Sequence, residues 1–285
     1  MSAFSSPSLT ADLLEVKRLY ANFFAARSPA DWERHTEPNQ RGWTLRETVA
    51  HLDAAGKVYL DTLDATLNQG PGYFFGELTR ADLPAWNRRE IDARAPRPIT
   101  EICESFLNTL QKTADDFAHL SPAALHQSAI VPFYQRPITV GELLGSQATH
   151  PGLVHGAQVA NGAGVAPLWR QFPSEMLHRQ ITRFLHLMAL SYWPERGGEL
   201  RATLEFSAAG PGGGQWHMTL TPAGCEVAEG ALRGATLQLK FRSADALCRT
   251  FTQQLSPTRA LLTAQCWAWG DVRLGFRMGR LFNPA

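Results

Sequence analysis

The feature that most limits the fold is a change of hydrophobic period across residues 162–173. Before that stretch apolar side chains recur at helical spacing; after it they alternate with polar ones. The stretch itself holds Gly162, Gly164, Pro167 and Pro173 and reads as a linker. With 285 residues, 44% of them hydrophobic, the chain is long enough for two ordinary globular domains. The expected boundaries are an all-helical domain over 1–165 and a smaller α+β domain over 174–285.

In the first half, Leu13, Val16, Tyr20 and Phe23 mark a helix from Thr10, and Ser28-Pro29 starts a short one. After a polar loop over Glu37 to Gln40, Leu45, Val49, Leu52, Gly56, Tyr59 and Leu63 give a longer amphipathic helix, closed near Gln69 to Gly72. Residues 73–98 read as an insertion with a short helix around Trp86 and Asn87. Thr100 is the expected N-cap of a third long helix, which Ser121-Pro122 ends. A fourth runs from Thr139 to Asn161-Gly162. Four long helices with one longer crossover fit a four-helix bundle.

The second half begins with a helix over Met176 to Tyr192. Three alternating runs follow, through Leu204, Trp216 and Leu239, and each has the period of a half-buried strand. Gly210-Pro211-Gly212-Gly213-Gly214 enters a strand rather than a helix, so it reads as a hairpin turn and not a phosphate-binding loop. Ser243 and Ser256-Pro257 cap two helices, Ala264 to Trp269 forms a last strand, and Gly270-Asp271 opens a closing helix to Phe282. The large apolar residues on the strands and on Leu247, Phe251 and Leu255 predict an apolar cavity of the usual ligand scale.

Lys+Arg number 27 against Asp+Glu 26, a net charge of +1 that argues against nucleic acid as a partner. The N-terminus lacks the basic start and apolar run of a secretory signal, and no stretch approaches a membrane span, so a cytoplasmic location is expected. Cys103, Cys225, Cys248 and Cys266 are scattered, which indicates neither a zinc ribbon nor a dithiol centre.

The candidate chemistry lies in His150-Pro151-Gly152-Leu153-Val154-His155, two histidines in an apolar helical segment, together with His51 on the second long helix. Three imidazoles from two helices suit a divalent first-row metal and leave a position open for water or substrate. The spacing is awkward, since five residues at ~100° each put His150 and His155 roughly 140° apart on an α-helix. Pro151 between them offers a remedy: it forces a kink or wider turn, and an i to i+5 turn would return both to one face. Against this stands the reading of each histidine as a core or boundary residue with a hydrogen-bond partner. Asn87 and Gln158 are candidates to orient substrate or a ligand imidazole, beside the alternative of caps and interhelical hydrogen bonds.

The segment Trp43-Thr44-Leu45-Arg46-Glu47-Thr48-Val49-Ala50-His51-Leu52 and the histidine of His155-Gly156-Ala157-Gln158 resemble the DinB and mycothiol-dependent maleylpyruvate isomerase superfamily over roughly residues 8–162. The resemblance implies a divalent metal, zinc or nickel, that activates a small thiol such as mycothiol or bacillithiol for transfer or isomerisation. The family's third ligand commonly sits four residues before the last histidine, where this chain has Pro151; either His150 substitutes or the site is lost. Residues 174–285, through Gly213 to Leu220 and Leu255 to Phe282, resemble sterol-carrier-protein domains, which implies a hydrophobic tunnel for a lipid-like ligand. Two functions follow. One is a metal-dependent, thiol-using transferase or isomerase acting on a small or apolar substrate, with His51, His150 and His155 as ligands and no catalytic residue assigned. The other is a non-catalytic lipid or small-molecule carrier.

Overall fold

A computed structural model describes residues 3–37, 41–68, 80–129, 131, 134 and 137–282. The chain forms two compact units, Met1–Phe133 with Pro137–Gln171, and Tyr134–Arg136 with Phe172–Ala285. The fold mixes helix and sheet, with long helices in the first unit and a five-stranded sheet in the second. Among the described residues no helix is long and apolar enough to cross a membrane.

The first unit opens with α1 (Ser6–Ala25), which begins four residues before Thr10 because Pro7 sits in the first turn, where its missing N–H costs nothing. A short hairpin, β1 (His35–Glu37) and β2 (Arg41–Thr44), stands where only a polar loop is expected; strands of three and four residues are too short to show alternation. Then come α2 (Leu45–Asn68), α3 (Leu83–Arg94) and α4 (Ile99–Asp116). The predicted cap at Thr100 is corrected to Pro98, whose extended backbone admits the chain, so that Thr100 falls inside the first turn. Ser121 does not end α4; its hydroxyl accepts from the Ala124 N–H and caps the separate α5 (Pro122–Leu125). The predicted close of α2 near Gly70 lies outside the described residues.

A two-residue pair, β3 (Ser128–Ala129) and β4 (Ile138–Thr139), leads into α6 (Val140–Thr149). The helix starts at Thr139 as predicted, and Thr139 caps it in a reciprocal box with Glu142: each side chain bonds the other's backbone N–H. A π turn over His150–His155 joins α6 to α7 (Gly156–Ala163), which Gly164 ends in the left-handed conformation at φ 70°. Helix α1 packs on α4 and α6, and α2 packs on the same two. Their shared interior buries Leu13, Tyr20, Leu52, Phe106, Leu110 and Leu143. The one amide in that interior, Gln147, is held by Thr113 Oγ1 at 2.8 Å and the Gly56 carbonyl at 3.3 Å.

The second unit runs α8 (Ser174–Leu190), α9 (Pro194–Gly197), β5 (Ala202–Ala208), β6 (Gly214–Thr221), β7 (Gly224–Glu229), β8 (Leu237–Phe241), α10 (Ala244–Phe251), α11 (Pro257–Leu262), β9 (Cys266–Gly270) and α12 (Val272–Phe282). Strand order is β7-β6-β5-β8-β9, antiparallel except for the parallel β5–β8 pair. The glycine-rich segment is the β5–β6 hairpin connection, with Gly210 and Gly212 at φ 75° and 73°. Strand β7 goes unpredicted because it is an edge strand with only Cys225 buried, so its sequence does not alternate. The last strand starts at Cys266 rather than Ala264, whose φ of 52° breaks the extended run.

Side chains fill the inner face of this sheet. Phe251 packs against the rings of Phe184, Phe206 and Phe241 at centroid distances of 5.5–5.8 Å. A groove of about 390 Å³ lies instead at the polar face, lined by Glu205, Ser207, Gln238, Lys240 and Trp269 among others. Phe251, one of the residues expected to line an apolar cavity, is thus packed among three aromatic rings.

Candidate metal centre

The helix that carries His51 is fixed at its start. Thr44 and Glu47 form a reciprocal capping box, with the Glu47 N–H donating to Thr44 Oγ1 at 3.1 Å and the Thr44 N–H donating to Glu47 Oε2 at 2.9 Å. That box sets Trp43 just outside the helix and His51 two turns within it. The rings meet: Trp43 lies 4.8 Å from His51, centroid to centroid, and stacks on His155 at 6.1 Å and 19°.

The second half of the site depends on the π turn. Pro151 has no N–H to offer, and its ring would collide with the carbonyl four residues back, so the ladder cannot continue in α-helical register. The chain widens to i to i+5 pairing over His150–His155, as the placement of Pro151 predicts. The Tyr20 hydroxyl donates to the Pro151 carbonyl at 2.9 Å and ties the turn to α1. Gly156 completes it, since a Cβ there would stand 2.9 Å from that same carbonyl oxygen.

With the turn widened, Nε2 of His155 lies 2.9 Å from Nε2 of His150. One ring nitrogen from each of His51, His150 and His155 lies within 4.8 Å of the others, a grouping able to hold a metal ion. His51 and His155 are buried and His150 half-buried, so His150 marks the side nearer solvent. His155 Nδ1 donates to Gln158 Oε1 at 2.5 Å, which leaves the Nε2 lone pair facing His150. Nδ1 of His51 is buried without a hydrogen-bond partner.

All three imidazoles are held neutral. Burial pushes His51 well below the usual histidine range, and the neighbouring His155 adds to this while Asn87 opposes it. His150 is lowered in the same way, by burial first and then by His155 and His51. His155 is lowered to about 4 by burial, against the hydrogen bond to Gln158. Neutral imidazoles are the form in which histidine binds a divalent metal, which releases any proton shared between ligand nitrogens.

Helix α3 supports this wall from outside. It is markedly polar, and ion pairs hold it to α2 on either side of His51: Arg88 with Glu47 at 2.8 Å, and Arg94 with the buried Asp53 at 2.7 Å. Between those clamps it presents Asn87 to His51. Trp43, Tyr20, Asp53 and Arg94 are site-supporting residues that sequence reasoning did not assign; the Thr-x-x-Glu box after Trp43 was the legible signal for the first. Tyr59, placed on the apolar face of α2, stands 6.1 Å from the His150 ring. Three of the four thiols are unsuited to act as nucleophiles: burial raises Cys103 to about 12, Cys266 to about 11 and Cys248 further.

No protein-family model and no curated protein sequence matches the chain. Among solved structures, the mycothiol-dependent maleylpyruvate isomerase is similar in fold, with TM-score 0.56 and 11% identity over 87% of this chain and 90% of that one. A histidine-to-alanine mutant of that enzyme gives TM-score 0.55 and 12% identity over the same shares. The likeness covers both units of the chain and concerns the fold.

Proposed function

We propose that the first unit is a four-helix bundle of the DinB type whose His51, His150 and His155 hold one divalent metal, and that the protein is a metal-dependent, thiol-using transferase or isomerase acting on a small or apolar substrate. The observation that carries this reading is the convergence of three neutral imidazoles within 4.8 Å, drawn from two helices and brought together by a π turn. The donor set fits the group. Imidazole nitrogens suit zinc or nickel, and the partnerless Nδ1 of the buried His51 is costly to leave in a protein interior without a ligand.

When bound, such an ion would supply Lewis acidity, lowering the pKa of a coordinated thiol toward neutrality. The raised Cys103, Cys248 and Cys266 favour an outside thiol, and likeness to an isomerase that depends on mycothiol supports a thiol of that kind, mycothiol or bacillithiol. Trp43 and Tyr59 wall the histidines with aromatic surface. Gln158 fixes the tautomer of His155, and Asn87 does the corresponding work at His51.

Elemental analysis of the purified protein, followed by zinc and nickel titration of chelator-treated protein, tests the proposal. One equivalent of metal is expected, lost in the double variant His51→Ala, His155→Ala with helical content retained. Protein that binds neither ion while its histidines are intact would overturn the catalytic reading and leave the carrier reading in its place.

A further inference from the structure

Exposed apolar surface is gathered at one end of the chain. Of the eight large hydrophobic residues described as exposed, six lie between Leu261 and Phe276, with Leu262 at 82% and Phe276 at 68%. Charge is gathered there as well. From residue 240 to the end the sequence has seven Lys/Arg against two acidic residues, net +5, whereas residues 1–239 have 20 against 24, net −4. The overall charge of +1 therefore hides a strongly basic, partly apolar C-terminal segment.

Helix α12 arranges these groups. Leu274, Leu281 and Phe282 are buried against the second unit. On the outward side, Arg273, Arg277 and Arg280 recur at i, i+4 and i+7, and Val272 and Phe276 form the adjoining stripe. None of the three arginines pairs with a described carboxylate. Trp267 and Trp269 on β9 are also exposed, 41% and 50%, but they share the polar face of the sheet with Gln238 and Lys240, whereas Gly275 of α12 lies over Leu237 on the buried face. The exposed Phe276 beside unpaired arginines suits a boundary where apolar groups leave water and cations meet phosphate.

We infer that the outward face of α12 docks on an anionic lipid bilayer surface. The arginines meet lipid phosphates, and Phe276 and Val272 enter the headgroup layer. Charge complementarity selects this occupant. A second copy would set three arginines against three arginines, which repel. Nucleic acid would use the arginines but gains nothing from exposed Val272, which has no ring to stack on a base.

Flotation of the full-length protein with vesicles tests the inference, comparing phosphatidylcholine alone with phosphatidylcholine mixed with phosphatidylglycerol. Binding is expected only to the mixed vesicles and is expected to weaken with salt. The triple variant Arg273→Ala, Arg277→Ala, Arg280→Ala should bind roughly a hundredfold more weakly, about fivefold per arginine. The corresponding triple lysine variant should retain most of the binding, and Phe276→Ser should weaken it without changing the salt dependence. Circular dichroism of each variant separates lost docking from lost folding. The inference fails if the wild type does not float with mixed vesicles, or floats equally with neutral ones. It fails equally if the folded alanine variant binds as the wild type does, if single-stranded DNA competes the protein off the vesicles, or if Phe276→Ser dissociates a dimer in sedimentation while leaving vesicle binding intact.

Discussion

Nε2 of His150 and Nε2 of His155 stand 2.9 Å apart although the two residues are separated by five positions in a helical segment. In an unbroken α-helix they would diverge by roughly 140°. The contact therefore reports the π turn, and the turn reports Pro151. A proline that would be a defect in most helices here serves to set two donors side by side, at the cost of the regular ladder on either side of it. Residues that hold the turn should consequently matter to the site without touching its centre.

Tyr20 is the first of these. Its hydroxyl is fully buried and donates to the Pro151 carbonyl at 2.9 Å, while its ring packs on Phe106. Tyr20→Phe keeps the packing and removes the donor, so it should lower unfolding stability by about 1–3 kcal/mol. Chemical denaturation checks this, and metal titration should show weaker binding in the same variant. Unchanged values in both measurements would mean that the turn holds itself.

Gln158 acts on one imidazole alone. It accepts from His155 Nδ1 and is itself only half-buried, so its loss removes the tautomer lock and little packing. Gln158→Ala should weaken zinc or nickel affinity by about 10- to 100-fold with nearly unaltered thermal stability. Gln158→Glu, which also accepts from Nδ1, should restore most of that affinity. Equal affinity in all three proteins would reduce Gln158 to an ordinary helix-surface residue.

The parts of this arrangement that were legible in sequence are those set by local rules. The change of period at the linker, the helix start at Thr139, the glycine hairpin and the π turn each follow from a few neighbouring residues. Histidine grouping was also readable, because His150 and His155 share one apolar helical segment around Pro151 and His51 lies in a similar helical setting. What was hidden depends on distant partners: nothing around Asp53 or Arg94 says that they meet, since 41 residues separate them. Nor does the composition of 247–255 say that Phe251 will find three aromatic neighbours. Edge strand β7 was hidden for a third reason, since a strand that buries one side chain leaves no period to read.

The Asp53–Arg94 pair yields a prediction of its own. Asp53 is 2% exposed, with Arg97 as a more distant second partner at 3.4 Å. Arg94→Ala leaves a buried carboxylate incompletely compensated and should cost about 3 kcal/mol, whereas Asp53→Asn with Arg94→Met should recover part of the loss. Denaturant midpoints of the single and double variants decide this. Hydrogen exchange along α3 should rise in the single variant, because the pair is one of its two clamps to α2. Additive costs with α3 unaffected would show that the helix is held by Trp86 and Ile91 alone.

The buried histidines also link stability to pH, and the sign can be worked out. His155 is lowered from 6.5 to about 4 in the folded chain, and His51 and His150 are lowered too, so between those values the unfolded chain binds more protons than the folded one. Stability from these groups is therefore fully present above about pH 6.5 and is lost as pH falls toward the folded values. For His155 alone, a displacement from 6.5 to about 4 corresponds to about 3 kcal/mol at 1.36 kcal/mol per unit. Thermal unfolding in the presence of a chelator, so that no metal contributes, should show Tm falling as pH drops from 7 through this window. His155→Ala removes one titrating group together with its packing. Its Tm at neutral pH is thus expected to be lower than that of the wild type, but its decline with acid should be shallower. Parallel declines in the two proteins would place the acid sensitivity outside the histidine cluster.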